Sequence, residues 1–106
     1  MSETITSDEL EIMLNGHNPP RVIDVRRKSD YESDPSMIPG AIWMDPEKVH
    51  AWSKELGDED VVIYCVRGGS VSKSTLEKLH RLNINARYIE GGIVSWKESG
   101  KSVIKS

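Results

Sequence analysis

The chain has one cysteine, Cys65, in 106 residues. That excludes an internal disulfide and any metal site built from clustered cysteines, so no metal ligands are assigned. No stretch approaches the roughly 18 consecutive apolar residues of a membrane-spanning helix, and a membrane is not expected as a partner. Met1 to Glu11 has no basic residue and no apolar core, so no secretory signal is expected there, and a reducing cytoplasmic location follows as the default. Basic clusters are missing too, and the 14 lysines and arginines are outnumbered by 17 acidic residues for a net charge of −3. A nucleic-acid partner therefore has little electrostatic support. Internal repeats, low-complexity tracts and interdomain linkers are also lacking. A chain of this length, 37% hydrophobic and 29% charged, is expected to form one domain over residues 1–106 with a core that needs no covalent staple.

What is present is organised around Val61-Val62-Ile63-Tyr64-Cys65-Val66-Arg67-Gly68-Gly69-Ser70-Val71-Ser72. The segment Asp58-Glu59-Asp60 starts a short apolar run that predicts a buried strand at 61–65. A glycine-containing loop follows, then a helix to about Leu82 with Val71, Leu76, Leu79 and Leu82 on its buried face. Gly68 and Gly69 permit backbone angles and close approaches that other residues resist. A loop curled at a helix start turns several N–H groups inward and attracts anions. A cysteine facing that concavity is favoured as thiolate, the nucleophilic form. The competing readings are plain: a small core side chain for Cys65 and an ordinary turn for the glycines. Neither a Gly-Lys-Ser/Thr phosphate loop nor a dinucleotide-binding glycine pattern is present, so no cofactor is expected.

Elsewhere the signals alternate between strand and helix. Thr6 as N-cap with Glu9 three positions on forms a capping box, and Ile5 and Leu10 form a hydrophobic staple. Leu10, Met13 and Leu14 are then the buried stripe, and Asn15-Gly16 is the stop. Strands are predicted at 22–25, 41–44, 61–65 and 86–89, with a further short strand near Thr4-Ile5. Between them fall a helical turn at 29–32, a helix opened by Asp45-Pro46 that turns Val49 and Trp52 inward, and a helix at 93–98 carrying Ile93 and Trp96. The tail, 101–106, is expected to be loose. This order implies an α/β fold, a mostly parallel sheet with helices on both faces. Ligands in such sheets bind beyond the carboxyl ends of the strands, where Cys65 and the residues after Val25 fall.

Asp24 sits inside an apolar strand. It either turns to solvent at the strand end or is buried and hydrogen-bonded, with a neighbouring loop or an arginine as partner. Arg26 and Arg27 either lie near Cys65 and attract an anion, or pair with Asp30, Glu32 or Asp34 at the surface.

Nearly the whole chain, from Ile5 to Gly100, resembles a single-domain rhodanese of the thiosulfate sulfurtransferase type. The pieces that carry the resemblance are Ile5-Thr6 to Leu10, Asp24-Val25-Arg26, Ile38-Pro39-Gly40-Ala41, Tyr64-Cys65 with Gly68, and Gly91-Gly92 with Trp96 and Gly100. The resemblance implies a five-stranded parallel sheet with Cys65 at the base of the active-site loop. It implies that Cys65 carries sulfur as a persulfide, taken from thiosulfate or another sulfane donor and passed to cyanide or a thiol, including a thiol on a partner protein. Val66, Arg67, Gly68, Gly69, Ser70 and Val71 would form the substrate-binding wall, and Asp24 and Arg26 would be supports beside it. The chain departs from many relatives in having Met37 just before Ile38-Pro39-Gly40-Ala41, in place of a histidine. It also has Ser70 five positions after the cysteine, in place of an arginine. Arg67 is then the loop's one charged side chain. A cysteine phosphatase or arsenate reductase would place an arginine at the sixth position after the cysteine, which is Val71. A non-enzymatic sulfur carrier or binding module is the third reading.

Overall fold

A computed structural model describes residues 3–57 and 59–105. Asp58 of the charged segment before the expected strand, Met1 of the N-terminal stretch and Ser106 of the tail lie outside the described residues. The elements are β1 (Thr4–Ile5), α1 (Ser7–Leu14), β2 (Arg21–Asp24), α2 (Lys28–Ser33), β3 (Ser36–Met37), β4 (Ile42–Trp43), α3 (Val49–Trp52), β5 (Val61–Tyr64), α4 (Ser70–Arg81), β6 (Ala86–Ile89), α5 (Gly92–Glu98) and β7 (Ile104–Lys105). Single 3₁₀ turns at Pro46–Lys48 and Ser53–Glu55 flank α3.

Five strands form one sheet in the order β1-β6-β5-β2-β4, and every pairing in it is parallel. The central strand is β5, with all four residues buried, which is why its sequence is an unbroken apolar run and not an alternating one. Side-chain alternation splits the core in two. Ile23, Val25, Val61 and Ile63 face α3 and α4, meeting Val49, Trp52, Leu76 and Leu79. Val22, Val62, Tyr64 and Ile89 face the other way, onto Leu10, Ile93 and Trp96. Fully burying each such leucine or isoleucine contributes about 1.5–3 kcal/mol.

The local signals act as expected. Thr6 accepts from the Glu9 N–H at 3.1 Å and Glu9 accepts from the Thr6 N–H at 3.0 Å, the reciprocal capping box of α1. Asp45 caps its turn by accepting from the Glu47 N–H at 2.9 Å, with Pro46 at the first turn position.

Two expectations are corrected. The buried face of α4 is Ser72, Thr75, Leu76 and Leu79, a stripe at i, i+3, i+4 and i+7. Val71 is only partly buried, and Leu82 is the cap residue, 38% exposed, because the stripe does not return until after the helix has ended. The tail is not loose over its described part. Ser36 and Met37 pair antiparallel with Lys105 and Ile104, the Trp96 indole donates to the Ser102 carbonyl at 2.8 Å, and Lys101 bridges Asp8 and Glu11 at 2.7 and 3.3 Å. Among the described residues no helix is long and apolar enough to cross a membrane.

Candidate active site

Parallel pairing in register, Asp24 beside Tyr64, brings the ends of β2 and β5 together. The Val25 N–H donates to the Tyr64 carbonyl at 2.9 Å. The chain leaving β2 as Arg26-Arg27 and the chain leaving β5 as Cys65-Val66 therefore emerge side by side. Cys65 is 5% exposed. It lies in a cavity of about 200 Å³ bordered by Arg26, Arg27, Val66, Arg67, Gly69 and Val71, together with Asp30 and Ser70. Of the six loop residues expected to form the wall, only Gly68 does not line this cavity.

Gly68 has a different task. Its φ is +72°, and a Cβ there would lie 3.0 Å from both the Gly91 nitrogen and the Ile89 carbonyl oxygen. The loop is thus pressed against the turn between β6 and α5, which only glycine allows in this conformation. On the other side, the Ile93 N–H donates to the Cys65 carbonyl at 3.0 Å and the Val94 N–H to the Val66 carbonyl at 3.1 Å. The first turn of α5 supplies donors that a helix leaves unused, and they engage the Cys65 and Val66 carbonyls. Among the described residues, no carbonyl or side chain accepts from the N–H groups of Val66 through Ser72. With the carbonyls of Cys65 and Val66 drawn toward α5, the loop and the start of α4 keep a run of donors without an acceptor among the described residues, the kind of backbone setting that can hold an anion.

Asp24 and Arg26 are not substrate groups in this geometry. Asp24 is 0% and Arg26 1% exposed. The Arg26 Nε lies 3.0 and 2.9 Å from the two Asp24 oxygens, and its Nη2 donates to Oδ2 at 2.7 Å. The same guanidinium donates to the Asp34 carbonyl at 2.8 Å and the Ser36 carbonyl at 2.9 Å. Burial opposes the charge on Arg26, yet the hydrogen bonds and charge of Asp24 outweigh it and hold the guanidinium above its ordinary pKa. This settles the alternatives for both residues: Asp24 is buried and paired, and Arg26 is consumed by Asp24 and by backbone. Arg26 also stacks over Tyr31 at 5.4 Å, Tyr31 stacks on Trp43 with centroids 5.2 Å apart, and the Trp43 indole donates to the Arg26 carbonyl at 2.9 Å.

The clamp reaches the loop indirectly. Asp34, whose carbonyl Arg26 holds, forms an ion pair with Lys97 of α5. The Lys97 ammonium and the Ser36 N–H hold the Asp34 carboxyl down at about 2. Strand β2, segment 34–36, α5 and the Cys65 loop are thereby tied in sequence. Tyr64 adds a contact on the far face, where its phenol oxygen accepts from the Ile38 N–H at 3.3 Å and burial pushes its pKa up. Met37, just before Ile38-Pro39-Gly40-Ala41, is a buried strand residue.

The site also holds features the sequence did not announce. Arg27 and Asp30 border the cysteine cavity; Arg27 was an open alternative, and nothing in the spacing pointed to Asp30. The docking of α5 onto the loop had one visible signal, the Gly91-Gly92 pair. Ser72 is fully buried, and its hydroxyl has no hydrogen-bond partner among the described residues. Sequence alone marks it only as the end of the loop.

Comparison with known proteins accords with this geometry. The model of the rhodanese-like domain family matches residues 6–99. A rhodanese-like domain protein from Staphylococcus aureus is 30% identical, with all of both chains covered and a TM-score of 0.81. A rhodanese-related protein from Thermoplasma volcanium is 26% identical over 96% of this chain and 97% of its own, with a TM-score of 0.80. A thiosulfate sulfurtransferase from Pseudomonas aeruginosa shares the fold at a TM-score of 0.83, with 20% identity over 100% of this chain and 20% of its own. No curated protein matches the sequence. A match over residues 6–99, on a sheet that sets its one cysteine at a strand's carboxyl end, means that this chain belongs to the rhodanese-like domain family.

Proposed function

We propose that this protein is a sulfurtransferase that carries sulfane sulfur on Cys65. The observation that carries the reading is the position of that cysteine: at the carboxyl end of the central strand, in a cavity ringed by a loop whose N–H groups have no acceptor among the described residues, within a rhodanese-like chain. In the first half-reaction the Cys65 thiolate attacks the outer sulfur of thiosulfate or a similar donor. The donor's S–S bond breaks and sulfite leaves with its electron pair, so Cys65 becomes a persulfide anion. In the second, cyanide or a thiolate attacks the outer sulfur, the Cys65 S–S bond breaks, and the thiolate is restored as thiocyanate or an organic persulfide departs. Both the attacking sulfur and the persulfide it becomes react as anions, which suits a cradle of backbone donors that does not itself titrate. Arg67 and Arg27 stand at the cavity and attract the incoming dianion; Asp24 and Arg26 hold the surrounding chain.

A phosphatase or arsenate reductase reading has no support in the side chains. The sixth position after Cys65 is Val71, and Arg26 is committed to Asp24 and to the 34–36 backbone. The test is intact-protein mass before and after thiosulfate and again after cyanide. The expected result is gain of one sulfur atom, its removal by cyanide, and neither change in Cys65→Ser. Failure to load from several sulfane donors overturns the enzymatic reading in favour of a binding module.

A further inference from the structure

The cysteine cavity does not stand alone. It shares Arg27, Ser70 and Val71 with a larger depression of about 570 Å³ that runs between α4 and the turns at Arg27–Ser29 and Asp45–Glu47. Three other surface depressions of similar size share no residue with the cysteine cavity. Cavities of roughly 300–1,000 Å³ suit organic ligands, whereas thiosulfate and cyanide need only the cysteine cavity. On α4, Ser70, Ser74 and Lys78 follow at four-residue spacing and so form one stripe. It leads from the loop to an ammonium roughly 12 Å away along the helix axis. Arg27, Lys28 and Lys78 line the groove and none is in an ion pair among the described residues. Asp45 is occupied in capping its own turn, so among the described residues Glu47 is the one carboxylate lining the groove without such a role, while Asp30 stands at the cysteine cavity that the groove joins.

We infer that this groove is the acceptor subsite and that it takes a peptide-sized thiol bearing carboxylates. The inference rests on the proposed sulfurtransferase reading. The acceptor thiolate must approach a persulfide that is itself an anion: its sulfur bonds to the outer sulfur, the Cys65 S–S bond breaks, and the electron pair stays on Cys65. Two negative charges enter and two leave. Cations spaced along the groove offset that repulsion and select an acceptor whose carboxylates lie a helical turn or two from its thiol. Glu47 fits the ammonium of such a zwitterion.

The experiment has two arms. In the first, protein preloaded from thiosulfate is mixed with glutathione or with its carboxyl ester, which keeps the thiol and removes the carboxylate charge. Lys28→Glu/Lys78→Glu, both exposed positions, is expected to cut the rate with glutathione relative to the ester by about tenfold, and added salt to narrow the wild-type preference. In the second, S-methylglutathione, which cannot accept sulfur, is titrated into unloaded protein while amide shifts are followed. Movements at Ser74 and Lys78, absent in the double variant, are expected. Equal rates for glutathione and ester, or no movement of those amides, overturns the subsite. So does a charge-reversal effect confined to a protein thiol such as reduced thioredoxin, which would make the face a protein-docking surface. Failure to load from several sulfane donors overturns the sulfurtransferase reading and the acceptor role with it, whereas a protein that loads but shows no movement of those amides overturns the subsite alone.

Discussion

A methyl group on Gly92 would lie 2.4 Å from the carbonyl oxygen of Cys65 and 2.5 Å from that of Val66. Those two oxygens are the ones that accept from the next two N–H groups of α5. The absence of a side chain at Gly92 is therefore what allows the helix to dock on the loop.

Gly92→Ala is expected to push α5 off the loop and slow loading of Cys65 from thiosulfate. Because φ at Gly92 is +59°, it also incurs about 1–2 kcal/mol of left-handed strain. Gly100→Ala is the control, since φ there is +75° with nothing within 4 Å of the added carbon. Single-turnover loading measured beside urea melts separates the two effects. Equal loading rates in the two variants would show that the docking does not shape the loop.

Asp24→Ala leaves the Arg26 guanidinium buried without its carboxylate. Stability is expected to fall by about 3–5 kcal/mol, the usual result of removing one partner of a buried pair. A denaturation midpoint within error of wild type would refute the clamp.

Asp34 carries a pH dependence whose sign is fixed by its lowered pKa of about 2. A carboxyl depressed on folding contributes stability above its unfolded value of about 3.9 and loses it as the pH falls through the folded value. Between roughly pH 4 and 2, wild type is expected to lose stability that Asp34→Asn has already lost at neutral pH. Because both partners of the Asp34–Lys97 pair are partly exposed, salt should reduce the difference. Parallel acid-unfolding curves would rule out a contribution from the pair.

Arg67 is exposed at the cavity and has no ion-pair partner among the described residues. Arg67→Ala is expected to weaken capture of thiosulfate more than later release of sulfur to cyanide; each tenfold loss in kcat/KM corresponds to about 1.4 kcal/mol. Unchanged thiosulfate kinetics would shift anion attraction to Arg27.

Ser72 buries a hydroxyl with no partner among the described residues, which costs about 1–3 kcal/mol, and alanine is the better helix former. Ser72→Ala is expected to raise the melting temperature. A lower one would mean that the hydroxyl makes a contact through water that stabilises the fold.

Much of this protein was determined by neighbours in sequence. Thr6 and Glu9 lie one helical turn apart, Asp45 precedes Pro46, and Val61 to Tyr64 are consecutive and apolar, so each feature is set by interactions that need no distant partner. The parallel order of the sheet followed from the alternation of such pieces, and Cys65 was placed at a strand's carboxyl end by the same logic. Tertiary structure decided the rest. Arg26 divides its donors between a carboxylate two residues away and carbonyls eight and ten residues on, and nothing in its spacing distinguishes that from a surface arginine waiting for an anion. Ile104 pairs with Met37 across most of the chain, a contact whose two short segments carry no strand pattern of their own. The direction of the loop carbonyls depends on Ile93 and Val94, 28 residues beyond Cys65 and Val66. Composition limits which hydrogen bonds are possible, but the fold brings donors and acceptors into the same few ångströms, and for this cysteine loop the donors come from another helix.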